Sequence, residues 1–230
     1  MKPFINALYS DMLFQYHQGF YGIYGGIVIL YILLLKVLPK TMTAYVLPLV
    51  IFTDPSVLGL FFIGGILLLE KEQGVIALLR VTPLRLEAYL MSKIISLTAI
   101  GLLVSLVLAL AIQVKVNILL LVIGVVITSV FFTLFGIRIG SASTSINVFF
   151  IKMMPMMIAS MLPCLLLYTS YDYWLLNIIP GVACFRLIYG AYHGLAFLEG
   201  MGCIIWSVTA IYMLWHHVKI GFPSRMIYGE

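Results

Sequence analysis

Charge is what this sequence has least of. Among 230 residues, 13 are Lys or Arg and 8 are Asp or Glu, 9% in all, against 63% hydrophobic residues. Soluble domains carry about 25% charged residues and about 45–50% apolar ones. A chain with a mean hydropathy of +1.17 has too little polar surface to face water, which excludes a soluble domain and points to an integral membrane protein. Cys164, Cys184 and Cys203 are odd in number and lie in or near apolar runs, which excludes a disulfide framework or a cysteine metal spacing. No G-x-x-x-x-G-K-[ST] stretch occurs, so the chain is not expected to bind ATP through a phosphate loop of its own. H-E-x-x-H and G-x-S-x-G are missing too, and the one His–His pair, His216 and His217, is adjacent and points to different helix faces. With them go the intramembrane metalloprotease and serine hydrolase classes. Low-complexity linkers and internal repeats are absent, and no cleavable signal is expected, because the first apolar run leads straight into a span.

What is there is apolar sequence in lengths that suit a bilayer, whose core of about 30 Å needs about 20 helical residues. Uncharged runs cover 94–114, 116–137, 153–171 and 200–218, and 41–69 carries only Asp54. Residues 20–35 are extended by Lys36, which can snorkel. The expectation is an all-α membrane protein of six spans, forming one domain over 1–230. Residues 1–19 read as an interfacial helix. An even number of spans leaves both termini on one side. With the termini inside, Lys2, Lys71, Arg80, Arg85, Lys93, Arg138, Lys152, Lys219 and Arg225 are cytoplasmic, against Lys36, Lys40, Lys115 and Arg186 outside. That excess places the termini in the cytoplasm of a bacterial or archaeal cell membrane. The net charge of +5 then reflects orientation in the membrane, and no nucleic-acid partner is expected. Residues 171–199 are apolar but broken by Pro180, Gly181, Arg186, Gly190 and Gly194. They read as two short helices entering the outer leaflet and returning, with Tyr171, Tyr173, Trp174, Tyr189 and Tyr192 at headgroup level.

The charge that exists is concentrated. Residues 70–93, EKEQGVIALLRVTPLRLEAYLMSK, hold seven of the 21 charged residues between two apolar runs. Residues 71–81 can form about three helical turns, with Val75, Ile76, Leu79 and Glu72 on one stripe. Glu70 and Glu72 fall at its start and Arg80 near its end, both favourable to the helix dipole. Thr82–Pro83 stops it and begins the next helix. Two readings fit: a helix lying flat on the inner leaflet, or a docking helix for a groove on a cytoplasmic partner.

The pattern Glu72-x-Gly74-Val75-x-x-x-Leu79-x-x-Thr82-Pro83, just after the second of six spans, resembles the cytoplasmic coupling loop of the type-2 ABC exporter permeases, whose fold is the type V exporter. Val75 stands where that motif usually has Thr. The resemblance covers essentially the whole chain. It implies a transport subunit without enzymatic activity, paired with a second permease subunit, identical or a paralogue. Two copies of a separate ATPase would carry ATP and Mg, and the coupling loop, Glu72 to Pro83 with Ile76 and Arg80, would pass their movement to the spans. No cofactor is expected on this chain. Among such permeases the pattern is most similar to multidrug permeases of the fluoroquinolone-export sort and to those exporting amphipathic cytolytic peptides. Haem and polysaccharide permeases are alternatives.

Three sets of residues inside the membrane are candidates for the rest of the task. Asp54, before Pro55, is a membrane carboxylate, either a functional site for a cationic cargo group or a proton, or a cap at a proline kink. If it works with an ion, an ion-coupled secondary transporter is the alternative class, although no paired ionisable group accompanies it. Gly22 and Gly26 form a G-x-x-x-G pair, with Gly19 on the same face, suited to close contact with a second subunit or within this one. Met153, Met157 and Met161, on a span that also holds Pro155 and Pro163, suit either a flexible wall for an amphipathic cargo or ordinary lipid-facing surface.

Overall fold

The computed structural model describes residues 2–79, 82, 84–168, 174–223 and 226. All regular structure among them is helical, as apolar sequence in lipid requires, because a helix satisfies its backbone polar groups internally. In chain order the helices are α1 (Lys2–His17), α2 (Phe20–Val37), α3 (Lys40–Thr53), α4 (Leu58–Glu72), α5 (Val75–Leu78), α6 (Leu86–Ile112), α7 (Ile118–Ser141) and α8 (Ile146–Met161). A 3-10 stretch, Leu162–Tyr168, prolongs α8, and another, Trp174–Ile178, precedes α9 (Pro180–His193) and α10 (Phe197–Phe222).

Five segments among the described residues are long and apolar enough to cross a membrane: Lys40–Glu72, Leu86–Ile112, Ile118–Ser141, Ile146–Tyr168 and Phe197–Phe222. Helix α1 with α2 passes the same test only when the two are taken together, as a pair bent by 65°. The bend falls at Gly19, whose φ of 74° is left-handed, a conformation glycine adopts without steric penalty. Gly19 therefore lies at a corner ahead of α2 and not on one helical face with Gly22 and Gly26.

Several element boundaries differ from the sequence reading. The helix expected over 71–81 does not form as one piece. Helix α4 continues to Glu72, Gly74 turns the chain with φ 73°, and α5 is a single turn. Glu70 and Glu72 are thus at the end of a helix and not at the start of one. Helix α6 begins at Leu86, so Glu87 and Lys93 belong to it and are not loop residues. Helix α8 begins at Ile146, with Lys152 inside it donating to the carbonyl of Ala142 at 2.5 Å. In the 171–199 segment the second half is a full helix, α9, and the first is the short 3-10 stretch. Tyr171, Tyr173 and the side chain of Trp174 lie outside the described residues.

Helix α7 is the centre of the bundle and packs against α4, α6, α9 and α10. Phe132 of α7 meets Phe52 of α3 at 5.8 Å between ring centroids, and Phe52 meets Phe185 of α9 at 5.0 Å. All three rings are fully buried. The α4–α7 contact is close because of a second G-x-x-x-G pair, Gly136 and Gly140, the arrangement that lets membrane helices approach. A Cβ on Gly136 would lie 2.4 Å from Ile63 Cγ2, so no side chain fits there.

Candidate functional site

The candidate site lies at the end of the bundle that carries the 70–93 segment, called here the loop end. Two helices frame it. Helix α4 arrives with Glu70 and Glu72 in its last turn, where the partial negative charge of the helix terminus disfavours carboxylates. Helix α6 leaves carrying Tyr89, Ser92 and Lys93 in its first turns. Lys93 answers the charge problem: its Nζ donates to Glu70 Oε1 at 2.6 Å and to Asp11 Oδ1, on α1, at 2.9 Å. The Tyr89 hydroxyl also donates to Glu70, and Ser92 Oγ donates to Asp11 Oδ2 at 2.5 Å. The Lys93 ammonium sits 4.7 Å from the centre of the Tyr89 ring. One turn further along, Gln15 Nε2 of α1 donates to Ser96 Oγ at 2.9 Å.

Lys93 is 2% exposed, and the side chains of Asp11 and Glu70 are 15% and 12% exposed. One cation serving two carboxylates in so dry a place is held by a full set of short hydrogen bonds, which is the condition under which buried charges are tolerated. The cluster joins α1 to α4 and α6, the helices on either side of the loop. By contrast Lys219 and Glu87, which meet at 2.5 Å, are 42% and 55% exposed, and such surface pairs contribute little.

Inside the loop the apolar residues divide. Ile76 is buried and Leu79 half-buried against the core, so that part of the stripe faces the bundle. Leu78 is 56% exposed, and Glu72 and Thr82 are exposed too. Val75 is half-buried, and Gly74 has open space where a Cβ would go. Arg80 and Pro83 lie outside the described residues.

Asp54 ends α3, and Val57 precedes α4 with no side-chain cap. The capping role for the following segment is therefore absent. The break itself follows from Pro55, which has no N–H and disfavours helical backbone before it. Helix α6 uses the break, since Gly101 passes so close that a Cβ would lie 2.3 Å from the Pro55 carbonyl oxygen. Tyr24 and Tyr31 on α2 are polar neighbours of the Asp54 carboxylate, whose Oδ2 is buried without a hydrogen-bond partner among the described residues. Tyr31 also lines an apolar cavity of about 560 Å³ between α2 and α3, with Leu34, Val46 and Val50. Of the three methionines, Met153 is buried in the core, whereas Met157 and Met161 are half-buried. Gly22 and Gly26 are exposed, and an added Cβ on either would meet nothing within 4 Å. Packing within the subunit therefore does not explain that pair. His216 and His217 are exposed, with ring centroids 6.4 Å apart.

Sequence reasoning passes over Asp11 and Glu70 as partners of Lys93, and over Gly136 and Gly140. The glycines have a signal, their spacing. The charges have only their scarcity: three charged residues beside apolar spans need partners.

Long apolar helices gathered on α7, with a charged joint at one end and a carboxylate near the middle of one span, define a multi-pass membrane protein. The chain belongs to the Fluoroquinolones export permease protein family, whose profile matches residues 2–229. It is similar to the fluoroquinolones export permease proteins of two strains of Mycobacterium tuberculosis, CDC 1551 and H37Rv, with 29% identity to each over 154 residues. The match covers 66% of this chain and 64% of each relative, so it spans slightly less than two thirds of their length.

Proposed function

We propose that this chain is the membrane-spanning permease subunit of an ATP-driven exporter, moving an amphipathic, drug-like molecule out of a bacterial or archaeal cell. The observation that carries the reading is the family match over nearly the whole chain. In this reading the loop end and both termini face the cytoplasm, where the excess of Lys and Arg belongs. Helix α1, with Ile5, Tyr9, Leu13 and Tyr16 exposed, lies along the inner interface. The loop from Glu72 to Thr82 meets a separate ATPase, which supplies ATP and Mg, and exposed Leu78 is the apolar contact it offers. The open Gly22–Gly26 face suits a second permease subunit.

The cargo contact in this reading is the cavity between α2 and α3. Its apolar wall, with Asp54 behind Tyr31, suits an amphiphile carrying a positive charge. Asp54→Asn is expected to lower export of a cationic amphiphile roughly tenfold, the weight of one charged contact at a membrane site. Export of a neutral amphiphile by the same variant should be unchanged. Equal loss for both cargoes would make Asp54 a structural residue.

The reading as a whole is tested by purifying the tagged chain from its native membrane in mild detergent. A soluble subunit with a phosphate loop should come with it in stoichiometric amount. Recovery of the chain alone, even after cross-linking, would overturn the ATP-driven reading and favour an ion-coupled carrier.

A further inference from the structure

At the end of the bundle opposite the loop, α9, α10 and the 3-10 stretch before α9 line another cavity, one whose wall includes charged and amide side chains. It measures about 280 Å³ and is lined by Asn177, Ala183, Arg186, Glu199, Gly202, Cys203 and Trp206. Trp206 closes one side by donating from Nε1 to the carbonyl of Ile178 at 3.1 Å. Glu199 is in the first turn of α10, and Gly202, Cys203 and Trp206 lie within the next two turns. The cavity thus lies at the start of a helix long and apolar enough to cross a membrane. On α10 and the 3-10 stretch, Ile178, Leu198, Met201 and Ile205 are 57%, 83%, 41% and 61% exposed, apolar side chains of the kind that face acyl chains.

We propose that this cavity binds the head group of a phosphatidylethanolamine, with the acyl chains lying on the apolar surface beside it. Three observations select that chemistry. The cavity wall carries one cation and one anion, so it complements a head group that itself carries both charges. The planar guanidinium of Arg186 suits a phosphate, and the Glu199 carboxylate suits an ammonium. Asn177 Oδ1 is buried with no hydrogen-bond partner among the described residues. A buried acceptor calls for a donor, and a primary ammonium has three N–H groups whereas a quaternary choline has none. Finally, the volume falls below the roughly 300–1,000 Å³ of cavities that take drug-sized ligands, and a Cβ on Gly202 would meet nothing within 4 Å, so a larger side chain there would occupy the open space.

The test needs no ATPase and no transport, so its outcome is separate from that of the proposed function. The full-length chain is purified in detergent, supplied with dioleoyl phosphatidylethanolamine or dioleoyl phosphatidylcholine, and the retained lipid counted by native mass spectrometry. Wild type should retain the ethanolamine lipid roughly tenfold better, the weight of a hydrogen bond to a charged group. Gly202→Leu fills the cavity, leaves both charges in place and improves helix propensity; it should abolish the retention. Asn177→Leu should remove the preference between the two lipids while phosphate binding through Arg186 continues. Equal retention of both lipids by wild type, or a preference unchanged by either variant, would overturn the proposal. So would displacement of the bound lipid by a soluble zwitterionic drug and not by soluble phosphoethanolamine, which would assign the cavity to cargo.

Discussion

Lys93→Met is expected to be the most damaging single substitution at the loop end. It leaves Asp11 and Glu70 facing each other in a nearly dry site without their cation. Removing one partner of a buried ion pair destabilises by about 3–5 kcal/mol, here with two carboxylates stranded. In a chain of this size that corresponds to a fall in melting temperature on the order of 10 °C, readable by thermal unfolding in detergent. Asp11→Asn combined with Glu70→Gln in the Lys93→Met background should restore most of the loss, because neutral amides need no cation. A single variant as stable as wild type would show that the joint is not held by charge. The effect should be insensitive to salt, since Lys93 is 2% exposed and buried pairs are weakly screened. Glu87→Gln, which removes only the exposed pair with Lys219, should shift the melting temperature little.

Gly74→Val is expected to act differently, sparing the fold and damaging the coupling proposed above. The φ of 73° at Gly74 is adopted freely by glycine and costs a side-chain-bearing residue about 1–2 kcal/mol. A β-branched valine is the worst case. Space is not the obstacle, as a Cβ there would meet nothing within 4 Å. The strain should swing α5 and with it Leu78, while the α4–α7 core stays as it was. Export should therefore fall on the order of tenfold, the equilibrium weight of that strain, with ATP hydrolysis by the complex continuing and the melting temperature near that of wild type. Gly74→Asn should be milder, because asparagine tolerates the left-handed region. Leu78→Asp should imitate Gly74→Val without any backbone strain, by removing the exposed apolar contact. Export unaffected in both Gly74→Val and Leu78→Asp would remove the loop from the coupling path.

Much of the architecture is legible in the sequence. Four spans follow from uncharged runs, and a fifth from a run whose one charge is Asp54, because lipid enforces helices wherever such a run is long enough. Asp54–Pro55 announces the break near the middle of the second span. Helix ends are less legible. Hydropathy places the start of α6 too late, at Lys93, because a charged residue ordinarily marks water. In fact Lys93 lies inside the protein, where its two carboxylates replace water. Periodicity makes the loop helix too long for the converse reason: the helical pattern over 71–81 is real, but the left-handed turn at Gly74 interrupts it. The stripe on that helix is apolar as expected, yet periodicity leaves its direction open, and Ile76 proves to face the bundle.

What the sequence by itself determined is the class of molecule: that the chain can cross a membrane several times, where its charge gathers, and the loop and membrane residues worth testing. Those are properties of single residues and of near neighbours, and hydropathy and spacing report them directly. The tertiary structure alone decided that Gly136 and Gly140 pack inside the subunit while Gly22 and Gly26 do not, which loop residues are left exposed, and that Lys93 pairs with Asp11, 82 residues away in the chain. It alone brought Arg186, Glu199 and Asn177 to one cavity. Such partnerships depend on which helix faces meet around α7, and the free energy of a buried charge or an unfilled acceptor is a property of the pair or the cavity, which no one-dimensional pattern carries.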